Sequence, residues 1–213
     1  LENAVIQRPK MLYQVIESVR SNLMYKKEFY EFEKYLGSIT SEYFSIINFS
    51  KKDHIYYLKI TYITAHTMYR NRRFKEGIKY SEKLNKGLVR YEKQYYRSFF
   101  AKHKLLHAGL LFYTNNPNEA ISIVEDCKDN HWDLFSLKEQ NYLMLNTAFY
   151  YYANQQLSEA LAIAQELYHT DGWYEKKISS EWALKRSIME ALIQIDLENE
   201  EIGLAKIDTM LQR

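Results

Sequence analysis

Glycine and proline are scarce. Six Gly and two Pro among 213 residues make about 4% of the chain, against roughly 12% in ordinary usage. A sandwich or barrel builds its many turns from those residues, so an all-β fold is not expected. A Gly-rich phosphate cradle has little to be built from, and no Gly-x-Ser-x-Gly motif occurs. Cys127 is the one cysteine, so no internal disulfide can form. It reads as a small buried hydrophobe of a reducing compartment, with a reactive thiol as the alternative. No run approaches the ~18 apolar residues of a spanning helix, and no signal-peptide pattern opens the chain. The expectation is a cytoplasmic protein with no membrane partner. Neither charge dominates: 29 Lys and Arg face 27 Asp and Glu, for a formal charge of +2. That is not the electrostatic footprint of a protein that binds nucleic acid directly. The first residue is Leu1 and not Met, as in a trimmed chain or one domain of a longer protein.

Aromatic residues are abundant instead. Twenty Tyr, ten Phe and three Trp within a hydrophobic share of 46% exclude a disordered chain. The length suffices to bury a core without metal or disulfide staples. Four short segments look alike: Arg73–Ile78, Asn116–Ile121, Gln156–Leu161 and Asn199–Leu204. Each sets Gly or Ala between a polar turn and a helical apolar pattern. Twelve residues before each of those small residues lies another, which pairs Ala65 with Gly77, Ala108 with Ala120, Ala148 with Ala160 and Ala191 with Gly203. A weaker copy lies around Phe29 and Phe32, with Arg20 at the position twelve before Phe32. From Phe32 through Gly77, Ala120 and Ala160 to Gly203 the steps are 45, 43, 40 and 43 residues. A repeat of that length means stacked helical hairpins. Two helices approach to about 8 Å only where small residues lie between them, which accounts for the small pairs. Leu145, Ala148, Phe149 and Tyr152 keep the i, i+3, i+4, i+7 rhythm of a helix, and no strand alternation is found.

These signals predict one domain over 1–213 made of five hairpins. The first helices are expected near 10–26, 53–71, 90–113, 136–153 and 179–196. The second helices are expected near 28–38, 74–86, 117–128, 157–169 and 199–212. Pro117 is placed to open a helix, and Ser179-Ser180-Glu181 to start the last hairpin.

The small pairs twelve apart, with Phe74 and Leu157 three before the second member and Tyr151 three after the first, resemble the tetratricopeptide repeat family. The resemblance covers 53–213 well and 10–52 weakly. The sequence departs from the family pattern in its period, which in the family is roughly 34. It lacks the Trp-x-x-Leu-Gly start and the closing Pro, and it carries Glu200 where an apolar residue and Arg20 where a small one belongs. The resemblance implies an all-α fold, a right-handed αα-superhelix (a TPR-like solenoid) of about five hairpins. It also implies a non-catalytic scaffold that binds a protein or peptide in a groove lined by the first helices. On that pattern the groove-facing residues are Lys59, Tyr62, His66 and Tyr69, then Lys102, then Tyr142, Asn146 and Phe149, then Lys185. Lys59, Lys102 and Lys185 recur at one register, with Tyr142 in the fourth copy. Such a column suits an acidic peptide, with Asn146 able to hold a peptide backbone; a solvated face accounts for the lysines equally well. The alternative is a sensor or regulatory domain of a larger signalling or transcription-regulating protein, resembling the helical-repeat domains of bacterial intracellular peptide receptors.

Other chemistry is sparse. His103 and His107 stand at i and i+4 of a predicted helix, a metal-ligand spacing, but no third ligand is evident and a packing role is expected. Glu125-Asp126 and Glu198, Glu200 and Glu201 fall at helix ends, where the helix dipole accounts for the second cluster. Arg70-Asn71-Arg72-Arg73 with Lys75 reads as a solvated corner, or as a contact for an acidic partner. Of Tyr150-Tyr151-Tyr152 not all can face the core, because each helical step turns about 100°. Gly172-Trp173-Tyr174 is expected in a connection, wedged between the last two hairpins. No catalytic residue, metal or cofactor is expected, and the oligomeric state is left open.

Overall fold

The computed structural model describes residues 8–44, 47 and 49–212. Among them there is no strand, and eleven α-helices follow one another: α1 (Pro9–Tyr25), α2 (Phe29–Tyr43), α3 (His54–Arg70), α4 (Phe74–Leu88), α5 (Tyr96–Phe112), α6 (Pro117–Asn130), α7 (Leu137–Ala153), α8 (Leu157–Gln165), α9 (Asp171–Lys177), α10 (Ser180–Asp196) and α11 (Glu200–Leu211). The chain divides into two compact units, Leu1–Thr114 and Asn115–Arg213. The third expected hairpin, α5 with α6, therefore contributes one helix to each.

The repeat is written in the backbone as well as in the side chains. Lys27, Arg72, Asn115, Gln155 and Glu198 each take a left-handed φ of 60° to 65°. Each lies in the short turn that joins a first helix to a second, and their steps of 45, 43, 40 and 43 residues are those of the small residues. In four of the five turns the residue just before the second helix donates its N–H to the carbonyl five residues back. These bonds run from Glu28 to Leu23, Arg73 to Met68, Gln156 to Tyr151 and Asn199 to Gln194, at 2.8–2.9 Å. That bond and the left-handed residue together make a Schellman-type helix end, here built without glycine.

All eight small residues of the four pairs are buried. A Cβ added at Gly203 would meet Ile195 Cγ1 at 2.5 Å and the Ala191 carbonyl at 3.1 Å, so that pair is where α10 and α11 approach most closely. At Gly77 an added Cβ would run into Leu110 of α5. Here glycine serves the contact with the next hairpin's first helix.

In the first unit α1 places Leu12 and Ile16 one turn apart, both fully buried, against Phe32 and Leu36 of α2 and Ile60 and Ile63 of α3. Each such side chain contributes about 1.5–3 kcal/mol. A second cluster joins Leu58 to Leu84, Leu88 and Phe99. The corner predicted to be solvated keeps Arg70, Arg72 and Arg73 exposed, but two of its residues are also bonded. Both reach buried Glu33 of α2, with Asn71 Nδ2 at 2.6 Å and Arg73 Nη1 at 2.7 Å. In the second unit α7 packs on α6, α8 and α10, and α10 also packs on α8, α9 and α11. Pro117 opens α6 as expected. Ser136 and Glu139 form a capping box at the start of α7, and Ser179 Oγ accepts from Trp182 N at 3.2 Å at the start of α10.

Three boundaries differ from the sequence expectation. The second helix runs to Tyr43 and not 38, because Ile39 and Thr40 are buried and the Thr40 hydroxyl donates to the Leu36 carbonyl at 2.6 Å. The fifth helix starts at Tyr96 and not 90, because Tyr91, Glu92 and Lys93 all take left-handed φ values of 50° to 59°. The expected helix 157–169 ends at Gln165, and a short additional helix, α9, follows.

Candidate functional site

Helices α3 and α7 are wrapped by their neighbours, and each leaves one line of side chains half open. From Leu58 to Tyr69 every residue is buried except Lys59, Tyr62, His66 and Tyr69. From Asn141 to Tyr151 every residue is buried except Tyr142, Asn146 and Phe149. Steps of three and four keep each set on one line of its helix. The buried polar residues between them are satisfied locally. Thr61, Thr64, Thr67 and Thr147 donate their hydroxyls to carbonyls one turn back at 2.8–2.9 Å.

The seven residues differ in what surrounds them. The Lys59 ammonium lies 4.6 Å over the Tyr13 ring of α1. Tyr62 lies against His66, ring centres 5.9 Å apart. Tyr69 lies 5.9 Å from both Phe74 of its own hairpin and Tyr113 at the end of α5. Burial and the neighbouring Tyr113 push its hydroxyl up to about 12. Burial, reinforced by Arg70 and Arg20, pushes His66 down to about 4, so this imidazole is neutral at pH 7. In α7, Asn146 makes no hydrogen bond with any described residue. The two remaining lysines have other surroundings. Lys102 is exposed, 5.7 Å from the Phe99 ring, and Lys185 is bonded to Glu181 of its own helix at 2.6 Å. The lysine column is thus three separate local arrangements.

A cavity of about 410 Å³ opens beside the α3 line. Tyr62, His66 and Arg70 of α3 form one wall, Arg20 and Met24 of α1 another, and Phe29 and Phe32 of α2 a third. Arg20 and Arg70 were not among the groove residues expected from the sequence. The signal for Arg20 was its misfit at a small-residue position. In the second unit a cavity of about 450 Å³ lies on another side of α7, lined by Trp132, Leu137, Met144, Tyr168 and Trp173, with the Lys128–Glu166 ion pair at 2.6 Å among its walls. The Gly172-Trp173-Tyr174 segment stacks Trp173 on His169, ring centres 3.9 Å apart, and buries Tyr174 against Trp182.

His103 and His107 stack with ring centres 5.4 Å apart. Burial, then His107 and Lys104, push His103 down to about 4. Among the described residues no group of three His, Cys, Asp or Glu is placed to hold a metal ion. Tyr150 and Tyr151 are buried, Tyr151 bonded to Glu125, whereas Tyr152 bonds Asp196 at 2.6 Å. Two of the three tyrosines in this run thus fill space between helices. No described helix is long and apolar enough to cross a membrane.

Comparison with protein-family models, curated proteins and solved structures finds no match.

Proposed function

We propose that this chain is a non-catalytic, tetratricopeptide-like scaffold that binds peptide or protein segments on the half-open face of α3 in the first unit and, separately, on that of α7 in the second. The observation that supports this most is the restriction of exposure, between Leu58 and Tyr69 and between Asn141 and Tyr151, to Lys59, Tyr62, His66 and Tyr69 and to Tyr142, Asn146 and Phe149. A helix so enclosed gains nothing in solubility from one narrow line of Tyr, His and Asn. Aromatic rings with polar tips and an amide with no partner among the described residues are the side chains that recognise a peptide backbone and its apolar residues. Helices held on several sides lose little entropy when a ligand arrives.

The test is partner capture from a lysate of the source cell. Wild-type chain is compared with a Lys59→Glu, Asn146→Ala variant of matched helicity by circular dichroism. The reading expects a protein retained by the wild type and lost by the variant. Equal retention by both, or retention by neither, overturns it.

A further inference from the structure

The cavity between α1, α2 and α3 has an uneven charge. Two guanidiniums, Arg20 and Arg70, and the His66 imidazole line it, and no Asp or Glu does. The rest of its lining is mostly apolar, with Met24, Phe29, Phe32 and Ile63 beside Tyr62 and Thr67. Arg20 is held from one turn back by Glu17, at 2.8 Å through Nε and 2.7 Å through Nη2. That fixes its direction, and its other donors bond no described residue. Arg70 makes no ion pair with any described residue, and its guanidinium lies 5.5 Å from the Phe29 ring. The nearby buried carboxylate, Glu33, is occupied by Asn71 and Arg73. Two cations over an apolar floor form a poor packing arrangement by themselves, and the Arg20 side chain stands where a helical hairpin ordinarily keeps a small residue.

We propose that Arg20 and Arg70 bind the carboxylate of an acidic residue in a peptide ligand, whose bulky apolar neighbour seats on the half-buried Met24 and Phe29. This rests on the peptide-binding reading and relocates its acidic recognition from the lysine column to this cavity. Guanidinium forks take a carboxylate bidentately, which a lysine ammonium cannot do. A volume of about 410 Å³ lies within the usual range of ligand pockets. The neutral His66 adds a hydrogen-bonding group without adding charge.

The test uses acetyl-Phe-Glu-amide as probe and reads the ring resonances of His66 by NMR in the whole chain. Saturable shifts are expected in the millimolar range. Acetyl-Phe-Gln-amide and acetyl-Ala-Glu-amide are each expected to bind about tenfold more weakly, and Arg70→Gln to weaken the first probe about tenfold. Arg70→Lys recovers only part of that loss, whereas Lys138→Gln, on α7, leaves binding unchanged. Equal binding of the Glu and Gln peptides, no saturation by tens of millimolar, or inorganic phosphate binding as tightly as acetyl-Phe-Glu-amide each overturn the proposal. The last result would mark a bare anion site. If the dipeptide binds as expected while no protein partner is captured, this site stands and the scaffold reading falls. If a partner is retained equally by wild type and by an Arg20→Gln, Arg70→Gln variant, and the dipeptides fail, the scaffold reading stands and this site falls.

Discussion

Leu58–Tyr69 of α3 and Asn141–Tyr151 of α7 have the same exposure pattern, with Tyr62, His66 and Tyr69 matched in spacing by Tyr142, Asn146 and Phe149. Their chemistry diverges. The α3 line is edged by cations brought from α1 and from its own C-terminal turn, and its imidazole is neutralised by them and by burial. The α7 line is uncharged and centres on an amide with no partner among the described residues. The repeat therefore sets which positions stay open, and the neighbouring helices set what those positions can do. A second contrast lies in the turns. Asn71 and Asn154 each follow a first helix, but Asn71 bonds a buried carboxylate at 2.6 Å, whereas Asn154 reaches Gln156 and Asn118 near the surface.

Acidification should separate the two regions most strongly. His66 and His103, in α3 and α5, titrate at about 4 in the fold and near 6.5 when unfolded. The unfolded chain therefore takes up protons first. The part of the stability that rests on these two imidazoles is complete above about pH 6.5, falls as pH drops toward 4 and changes no further below, by about 3 kcal/mol for each imidazole. Hydrogen-exchange protection of α3 and α5, corrected for intrinsic rates, should fall between pH 7 and 5 more than that of α7, which has no histidine. A His66→Gln, His103→Gln variant should flatten the difference, and an unchanged slope would refute this assignment.

The burial pattern itself can be broken next. Ala148 is fully buried and Asn146 beside it is half open, so Ala148→Trp should cost about 1–3 kcal/mol or more. Asn146→Leu should change the urea midpoint little. Equal effects would mean that the face is misassigned. Of the two turn asparagines, Asn71→Ala should cost about 1–2 kcal/mol by stripping Glu33 of a hydrogen bond, and Asn154→Ala less than about 0.5 kcal/mol. Thermal melts of the pair measure the gap. The smallest effect is a gain. Arg72→Gly and Gln155→Gly relieve left-handed backbone and should each stabilise by up to about 1 kcal/mol. Asn115→Gly should gain less, since Asn tolerates that region, and chemical denaturation of the three resolves the order.

Much of the fold was legible because it obeys a short-range rule. Small residues twelve apart and a 40–45-residue period are properties of neighbouring helices, and they located five of the connecting turns. The boundaries at 43, 96 and 165 were not legible. They depend on burial of Ile39 and Thr40, on three consecutive left-handed residues at Tyr91–Lys93 and on a Thr170 cap whose hydroxyl accepts from Trp173 N. None of these follows from helical periodicity. The residues of the half-open lines on α3 and α7 were named from the register that the tetratricopeptide resemblance implies. The fate of the lysines was not, because a cation's partner is a matter of distance: Tyr13 for Lys59, Glu181 for Lys185.

Apolar periodicity and the rarity of glycine and proline determined the helices and their pairing, because hydrophobic faces must find one another within a turn or two of chain. Only the tertiary structure decided that Arg20 and Arg70, 50 residues apart, would share one cavity while Glu33 was drawn away by Asn71 and Arg73. Charges are placed by the packing of separate helices, and no local pattern records which of them will meet.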